Sequence, residues 1–217
     1  PKYFGYNPSL PLTANTCYLL VAGLKTNLIM KTILLPFLSI GQTKIGIDID
    51  GEAAGDNSGY RVSLSKDGST LAIGAIYNNG GGSDAGSVRV YKNISGIWTK
   101  IGSDIDGKKA GDLSGNSISL SDNGTILAIG SYHSDGKGSV KSESGSVRVY
   151  EYITETWKQI GTDIDGESGR NGTSISLSSD GTILAIGAPY DDNGTVRVYK
   201  NISETWTQIG DNIKSVY

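Results

Sequence analysis

Four landmarks recur three times in the same order, and that periodicity restricts the chain to folds built by stacking like units. Leu71-Ala72-Ile73-Gly74 returns as Leu127-Ala128-Ile129-Gly130 and Leu184-Ala185-Ile186-Gly187, at spacings of 56 and 57 residues. Val88-Arg89-Val90-Tyr91 returns as Val147-Arg148-Val149-Tyr150 and Val196-Arg197-Val198-Tyr199. Trp98, Trp157 and Trp206 each stand three residues before an Ile-Gly pair. Ile49-Asp50-Gly51 likewise returns as Ile105-Asp106-Gly107 and Ile164-Asp165-Gly166.

Each unit reads as four short strands. Tyr60 to Ser65 alternates apolar and polar residues and ends in a Lys66-Asp67-Gly68 turn. Thr70 to Ala75 follows, then Ser87 to Lys92 with Val88 and Val90 on one face and Arg89 and Tyr91 on the other. Ile97 to Gly102 is the fourth. Gly and Asp/Asn clusters separate the runs, and no 3.6-residue apolar period competes with them. The expected fold is all-β: three four-stranded antiparallel β-propeller blades plus one leading strand, in an incomplete ring from a longer protein. A β-sandwich also uses short strands but has no need of near-identical quartets. The loop from second to third strand differs in length between units, as expected of a surface loop on a rigid scaffold and a natural seat for specificity.

The third unit carries a family resemblance. Ser174-Ile175-Ser176-Leu177, Leu184-Ala185-Ile186-Gly187-Ala188-Pro189-Tyr190 and Gly194-Thr195-Val196-Arg197-Val198-Tyr199 resemble the FG-GAP repeat of integrin α-chain β-propellers. The Gly-Ala-Pro element is complete only there, and the Phe-Gly element keeps its glycine alone, as Gly59, Gly115 and Gly172. The Trp-x-x-Ile-Gly and Asp-Ile-Asp-Gly elements resemble most closely the bacterial secreted and surface versions. The resemblance spans roughly residues 42 to 213; it implies a propeller fold and leaves function open.

That resemblance raises the question of calcium. Integrin-type cages occupy a long acidic loop between the first two strands, but here the loop is only Lys66-Asp67-Gly68-Ser69, Asp122-Asn123-Gly124 or Ser179-Asp180-Gly181. A hard cation takes about six to eight oxygens, which such turns do not offer. The remaining metal candidates are Asp48, Asp50, Asp104, Asp106, Asp163 and Asp165 between the blades, with calcium as the ion if any. The preferred reading has these side chains capping turn amides, with no cofactor.

Composition narrows the rest. With 19 basic and 22 acidic residues there is no electrostatic footprint for nucleic acid. One Cys, Cys17, excludes an intramolecular disulfide, and one His, His133, leaves little His-based catalysis. His133 reads as a solvated loop residue. Arg89, Arg148 and Arg197 read as stems between blades pairing with loop carboxylates. The Asn-x-Ser/Thr sites at Asn93, Asn123, Asn171, Asn193 and Asn201 fit the glycosylation pattern but coincide with turns.

The ends fall outside the repeat. Residues 1–29 read as a non-repeat or untranslated upstream segment, and 30–41 as a compact signal peptide with cleavage after Gly41. Lys25, Lys31 and Pro36 break any clean transmembrane span. Residues 42–213 hold the repeats, with blades at about 58–102, 114–161 and 172–210, and 214–217 opens a next repeat. Gln42-Thr43-Lys44-Ile45-Gly46 aligns with Trp98-Thr99-Lys100-Ile101-Gly102 as a lone fourth strand. The functional expectation is a non-enzymatic, secreted or cell-surface scaffold of bacterial type for adhesion. Its partners would be a protein or carbohydrate ligand and the missing blades of the same chain, with no nucleic acid. The alternative is part of a propeller enzyme, a lyase or glycosidase, whose catalytic residues lie in missing blades.

Overall fold

Short apolar alternations bounded by Gly and Asx turns produce fifteen strands and no helix among the described residues. The computed structural model describes residues 44–135, 143–167 and 169–214. The chain divides into two compact units, Pro1–Lys44 and Ile45–Tyr217, and the strands of the described residues lie in the second. The segments read as upstream sequence and signal peptide, 1–29 and 30–41, lie outside the described residues, as do 215–217.

The first sheet runs β1 (Ser58–Leu64), β2 (Thr70–Ala75), β3 (Ser87–Ile94), β4 (Ile97–Lys100), antiparallel and in chain order. Its last member, β5 (Ile105–Asp106), pairs with β3 through Val88 and Ile105, just beyond the pairing of β4. The second sheet repeats this with β6 (Ser117–Leu120), β7 (Ile126–Ser131), β8 (Ser146–Ile153), β9 (Thr156–Gln159) and β10 (Ile164–Asp165). The third has β11 (Ser174–Leu177), β12 (Ile183–Ala188), β13 (Thr195–Ile202), β14 (Thr205–Gln208) and β15 (Ile213–Lys214). Register is the same in all three: Gly74 faces Val88, Gly130 faces Val147 and Gly187 faces Val196. These are three β-propeller blades. Of the Ile-Asp pairs read from sequence as links between blades, Ile105-Asp106 and Ile164-Asp165 are the second half of a kinked fourth strand, whereas Ile49-Asp50 joins no strand. Ile45 and Gly46 lie against Trp98 without joining a ladder.

The first turn of each blade is closed by its own side chains. Ser65 Oγ and Ser69 N donate to Asp67 Oδ1 at 2.7 and 2.9 Å, and Thr70 N donates to Ser65 Oγ at 2.9 Å. Asn123 in the second blade and Asp180 in the third accept the same hydroxyl and amide bonds. The Ser65 hydroxyl and then the Ser69 amide lower the Asp67 carboxyl from 3.8 to about 2. Ser178 and Thr182 do the same to Asp180, again to about 2. Folding therefore favours both carboxylates in the charged form. Their contribution is complete above about pH 4 and is lost as pH falls toward 2. A double Asp67→Asn, Asp180→Asn variant should lose less stability over that acid interval than the parent, as read by thermal melts at stepped pH. Asn123 shows that the amide supports the turn; an unchanged acid profile would refute the assignment.

The blades stack face to face in chain order, and the middle sheet buries both of its faces. Ala72, Val88, Val90 and Ile105 of the first sheet pack on Leu120, Leu127, Ile129 and Tyr150 of the second. Ala128, Val147, Val149, Ile160 and Ile164 then pack on Leu184 and Ile186 of the third. Burying each of these aliphatic side chains contributes about 1.5–3 kcal/mol before the conformational entropy is counted. The approach is close enough to need glycine. A Cβ at Gly74 would lie 2.4 Å from the Gly115 carbonyl oxygen, and one at Gly130 would lie 2.3 Å from that of Gly172. The final Gly of the first two Leu-Ala-Ile-Gly copies thus serves the contact between blades.

The tryptophans serve the same contact. Trp157 Nε1 donates to Ile101 O at 3.2 Å and the ring lies over Gly102, where a Cβ would come within 2.7 Å of Cδ1. Trp98 donates to Ile45 O at 3.3 Å and covers Gly46 in the same manner. Trp98 and Trp157 thus grip the Ile-Gly of the element before them, while the Trp206 ring lies over Gly161 with no hydrogen-bond partner for its Nε1 among the described residues.

Candidate functional site

The second-to-third-strand loops meet the segments that lead into β6 and β11. In each blade the third residue after Leu-Ala-Ile-Gly carries a ring: Tyr77, His133 and Tyr190. The same turn presents all three, because Asn78, Ser134 and Asp191 donate their amides to the carbonyls of Ala75, Ser131 and Ala188. Tyr77 and Tyr190 are 40% and 67% exposed, so these rings are not core.

Around them lies a cluster of charged and aromatic side chains. The Arg170 guanidinium sits 5.0 Å from the Tyr190 ring centroid and 5.7 Å from that of Tyr132. Its Nε and a terminal N–H donate to Glu143 Oε2 at 2.9 and 2.6 Å. The Arg170 bond holds the Glu143 carboxyl below its usual range, and Glu143 raises Arg170 in return. His133 stacks edge-on to Tyr132 at 4.4 Å, with Nε2 3.9 Å from Glu143. Burial pushes the Tyr132 phenol up, and the nearby Tyr60 phenol adds to that shift. His133 is thus packed against a ring and a carboxylate, where sequence reading left it solvated.

Arg170 occupies an unfavourable backbone position. It stands at φ 56°, as Asn57 and Leu113 do at 53° and 52° in the other blades. Asn tolerates the left-handed region; Leu and Arg do so at a cost. The blade geometry requires that conformation, and the third blade uses it to aim a guanidinium between two rings. This mixture offers π faces, a planar donor and a carboxylate, which suit recognition of a polar ligand.

The acidic candidates are dispersed. Asp104 accepts from Lys100 Nζ at 2.7 Å. Asp163 accepts from Lys108 Nζ at 2.7 Å and Gln159 Nε2 at 2.8 Å. Burial works to raise the Asp163 carboxyl, and those two bonds outweigh it to leave it below the usual range. Asp50 and Asp106 lend their carbonyls to Arg89 at 3.0 Å and Arg148 at 3.1 Å. Asp104 and Asp106 share a cleft of about 300 Å³ with Tyr150 and Trp157, while Asp48, Asp50, Asp163 and Asp165 lie on other blade edges. Among the described residues, no three His, Cys, Asp or Glu side chains come together as a metal site.

The recurring arginines are buried between or within blades. Arg148 donates to Ser114 Oγ at 2.9 Å, and Arg197 pairs with Asp191. Only the last is a full pairing with a loop carboxylate; the others hold backbone and hydroxyl groups, with Glu52 4.0 Å from Arg89. Of the glycosylation patterns, Asn171 is 1% exposed and donates to Ile164 O at 3.1 Å, so its side chain is structural.

Comparison with known proteins bears on the blade itself. Residues 47–91 match the family described as FG-GAP repeat. This segment is an FG-GAP repeat. The FG-GAP unit begins at Ile47 and runs through β1 and β2 to Tyr91 in β3, and the second and third blades repeat its topology. Nothing among curated proteins matches the chain. Solved structures similar to it include a putative 6-phosphogluconolactonase from Bacteroides fragilis, 15% identical at a TM-score of 0.49, covering 71% of this chain and 38% of that one. The periplasmic gluconolactonase of Pseudomonas aeruginosa is 23% identical at 0.45, covering 64% and 38%. Hydrazine synthase of Kuenenia stuttgartiensis is 15% identical at 0.49, covering 81% and 40%. The chain therefore spans about two fifths of the length of these structures. Among the described residues, no helix is long and apolar enough to cross a membrane.

Proposed function

We propose that this FG-GAP protein is a non-enzymatic scaffold, secreted or on the cell surface, that binds a protein or glycan ligand through its loop end. One observation carries the reading: each blade presents a ring at the same turn, Tyr77, His133 and Tyr190, and Arg170 lies against the last of them. Exposed aromatic rings bound to a fixed frame lose little entropy on binding, and Arg and Tyr are the residues that dominate recognition surfaces. FG-GAP repeats usually occur in extracellular proteins, which supports the location.

Glycan-array and cell-adhesion assays test the reading. Tyr190→Ala and Arg170→Ala should each weaken binding about tenfold or more, with the melting temperature unchanged for the exposed Tyr190. Binding indifferent to both substitutions would refute the site. Turnover in a lyase and glycosidase panel that survives both would refute the non-enzymatic reading.

A further inference from the structure

The hydroxyls of the five Asn-x-Ser/Thr sites divide them into two groups. In three, the fold already uses the hydroxyl. Thr125 Oγ1 donates to Asn123 Oδ1 at 2.9 Å, Thr173 Oγ1 to Arg170 O at 2.7 Å and Thr195 Oγ1 to Asp191 O at 3.0 Å. Asn123 Oδ1 also accepts from Ser121 Oγ and the Thr125 amide, and Asn171 is buried. The other two sites share one sequence, Asn93-Ile94-Ser95 and Asn201-Ile202-Ser203. Ser95 and Ser203 are exposed, and among the described residues neither hydroxyl makes a hydrogen bond. Asn93 Oδ1 accepts from the Gly96 amide at 2.8 Å, which leaves its Nδ2 free. The Asn201 side chain has no partner among the described residues.

Both sites occupy one place in the blade. Asn93 and Asn201 stand one residue before the ends of β3 and β13, ahead of two-residue hairpin turns. Ser95 and Gly96 hold φ of 54° and 87°, and Ser203 and Glu204 hold 49° and 62°, so each serine sits at an open turn. Register sets each asparagine opposite a tryptophan: Asn93 faces Trp98, and Asn201 faces Trp206. Residues directly opposed in an antiparallel pair share a sheet face, with Cβ atoms about 5 Å apart. In the middle blade the same pair is Tyr152 and Trp157, whose ring centroids lie 5.1 Å apart. The first and third blades thus carry an asparagine at the position from which the second covers its indole with a ring.

We propose that Asn93 and Asn201 are N-glycosylation sites whose first sugar stacks on Trp98 and Trp206, while Asn123, Asn171 and Asn193 stay bare. The proposal rests on the reading of the protein as exported, since glycan transfer takes place outside the cytosol. The donor is an oligosaccharide on a lipid pyrophosphate. Asn Nδ2 bonds to its anomeric carbon, the carbon–oxygen bond to pyrophosphate breaks, the lipid pyrophosphate leaves, and Nδ2 gives up one proton. Nothing is oxidised or reduced. A pyranose on Nδ2 then supplies the ring that Tyr152 supplies in the middle blade, its C–H groups set against the negative face of the indole.

The 217-residue chain, exported from yeast behind a heterologous leader, tests the assignment by peptide mapping. Glycan should be found at Asn93 and Asn201 and at none of the other three sites. Ser95→Ala and Ser203→Ala, both at exposed turn positions, should each empty the corresponding site. Trimming the glycan to its first sugar should leave the melting temperature unchanged, whereas the chain made without glycan in a bacterial cytosol should melt a few degrees lower. In that bare chain, Asn93→Tyr and Asn201→Tyr should restore the loss by rebuilding the Tyr152–Trp157 pairing. An exported chain bare at Asn93 and Asn201, or filled as fully at the other sites, would overturn the acceptor assignment and leave the loop-end reading standing. Equal melting with and without glycan would overturn the stacking. A chain that its own cells keep in the cytosol would overturn this proposal and the exported scaffold together.

Discussion

Replacing Leu127 by Ala should lower the unfolding free energy by about 2–5 kcal/mol, the range for a buried leucine that leaves a cavity. Leu127 is fully buried at the centre of the first inter-blade cluster, between the valines of β3 and the inner strand β6. Leu71 occupies the same repeat position in the first blade but is only partly buried. Leu71→Ala should therefore cost clearly less, and urea unfolding of the two variants side by side makes the comparison. Equal losses would mean that β2 and β7 are stabilised within their own sheets and that stacking adds little.

Substituting Gly130 by Ala should also be disruptive, for a single added carbon. The new Cβ would meet the Gly172 carbonyl oxygen and the Ser117 hydroxyl, and a backbone carbonyl in the next blade has no side-chain freedom with which to yield. Overpacking of this kind costs about 1–3 kcal/mol or more, and here it would force the second and third sheets apart. Gly187→Ala is the internal control, because its nearest neighbour is the Ser174 Cβ at 3.4 Å, an ordinary contact. The Gly187 variant should melt within a few degrees of the parent while the Gly130 variant melts well below it. Matching losses at both positions would refute the close approach between blades as the reason for glycine.

Much of this was legible because it is local. Val88-Arg89-Val90-Tyr91 alternates with period two, so its faces follow from the pleat of a strand whatever it packs against. The Ser-x-Asp/Asn-Gly turns close through bonds spanning five residues or fewer, and the absence of a long acidic loop was visible by inspection. Even the ring after Leu-Ala-Ile-Gly was there to be found, at Tyr77, His133 and Tyr190, had the repeats been aligned one step past the glycine's loop. Two readings did not reach far enough. Asp-Ile-Asp-Gly looked like a link because Gly102 and Ser103 interrupt the strand, yet the edge of β3 has unpaired backbone that the chain returns to fill. The Trp-x-x-Ile-Gly pattern placed Trp157 within its own repeat, yet its indole reaches the preceding blade.

The sequence by itself determined the repeat, the strand faces, the tight turns and the all-β class, since each rests on periodicity or on bonds between near neighbours. Only the tertiary structure decided which residues meet at the loop end. Tyr132, Glu143, Arg170 and Tyr190 come from two blades, and their contacts exist only once the blades are stacked. Arg170 carried no signal of its own, because a lone arginine after a glycine reads as loop. Its left-handed backbone and the rings on both sides arise from inter-blade packing, which acts through space and leaves no period in the chain.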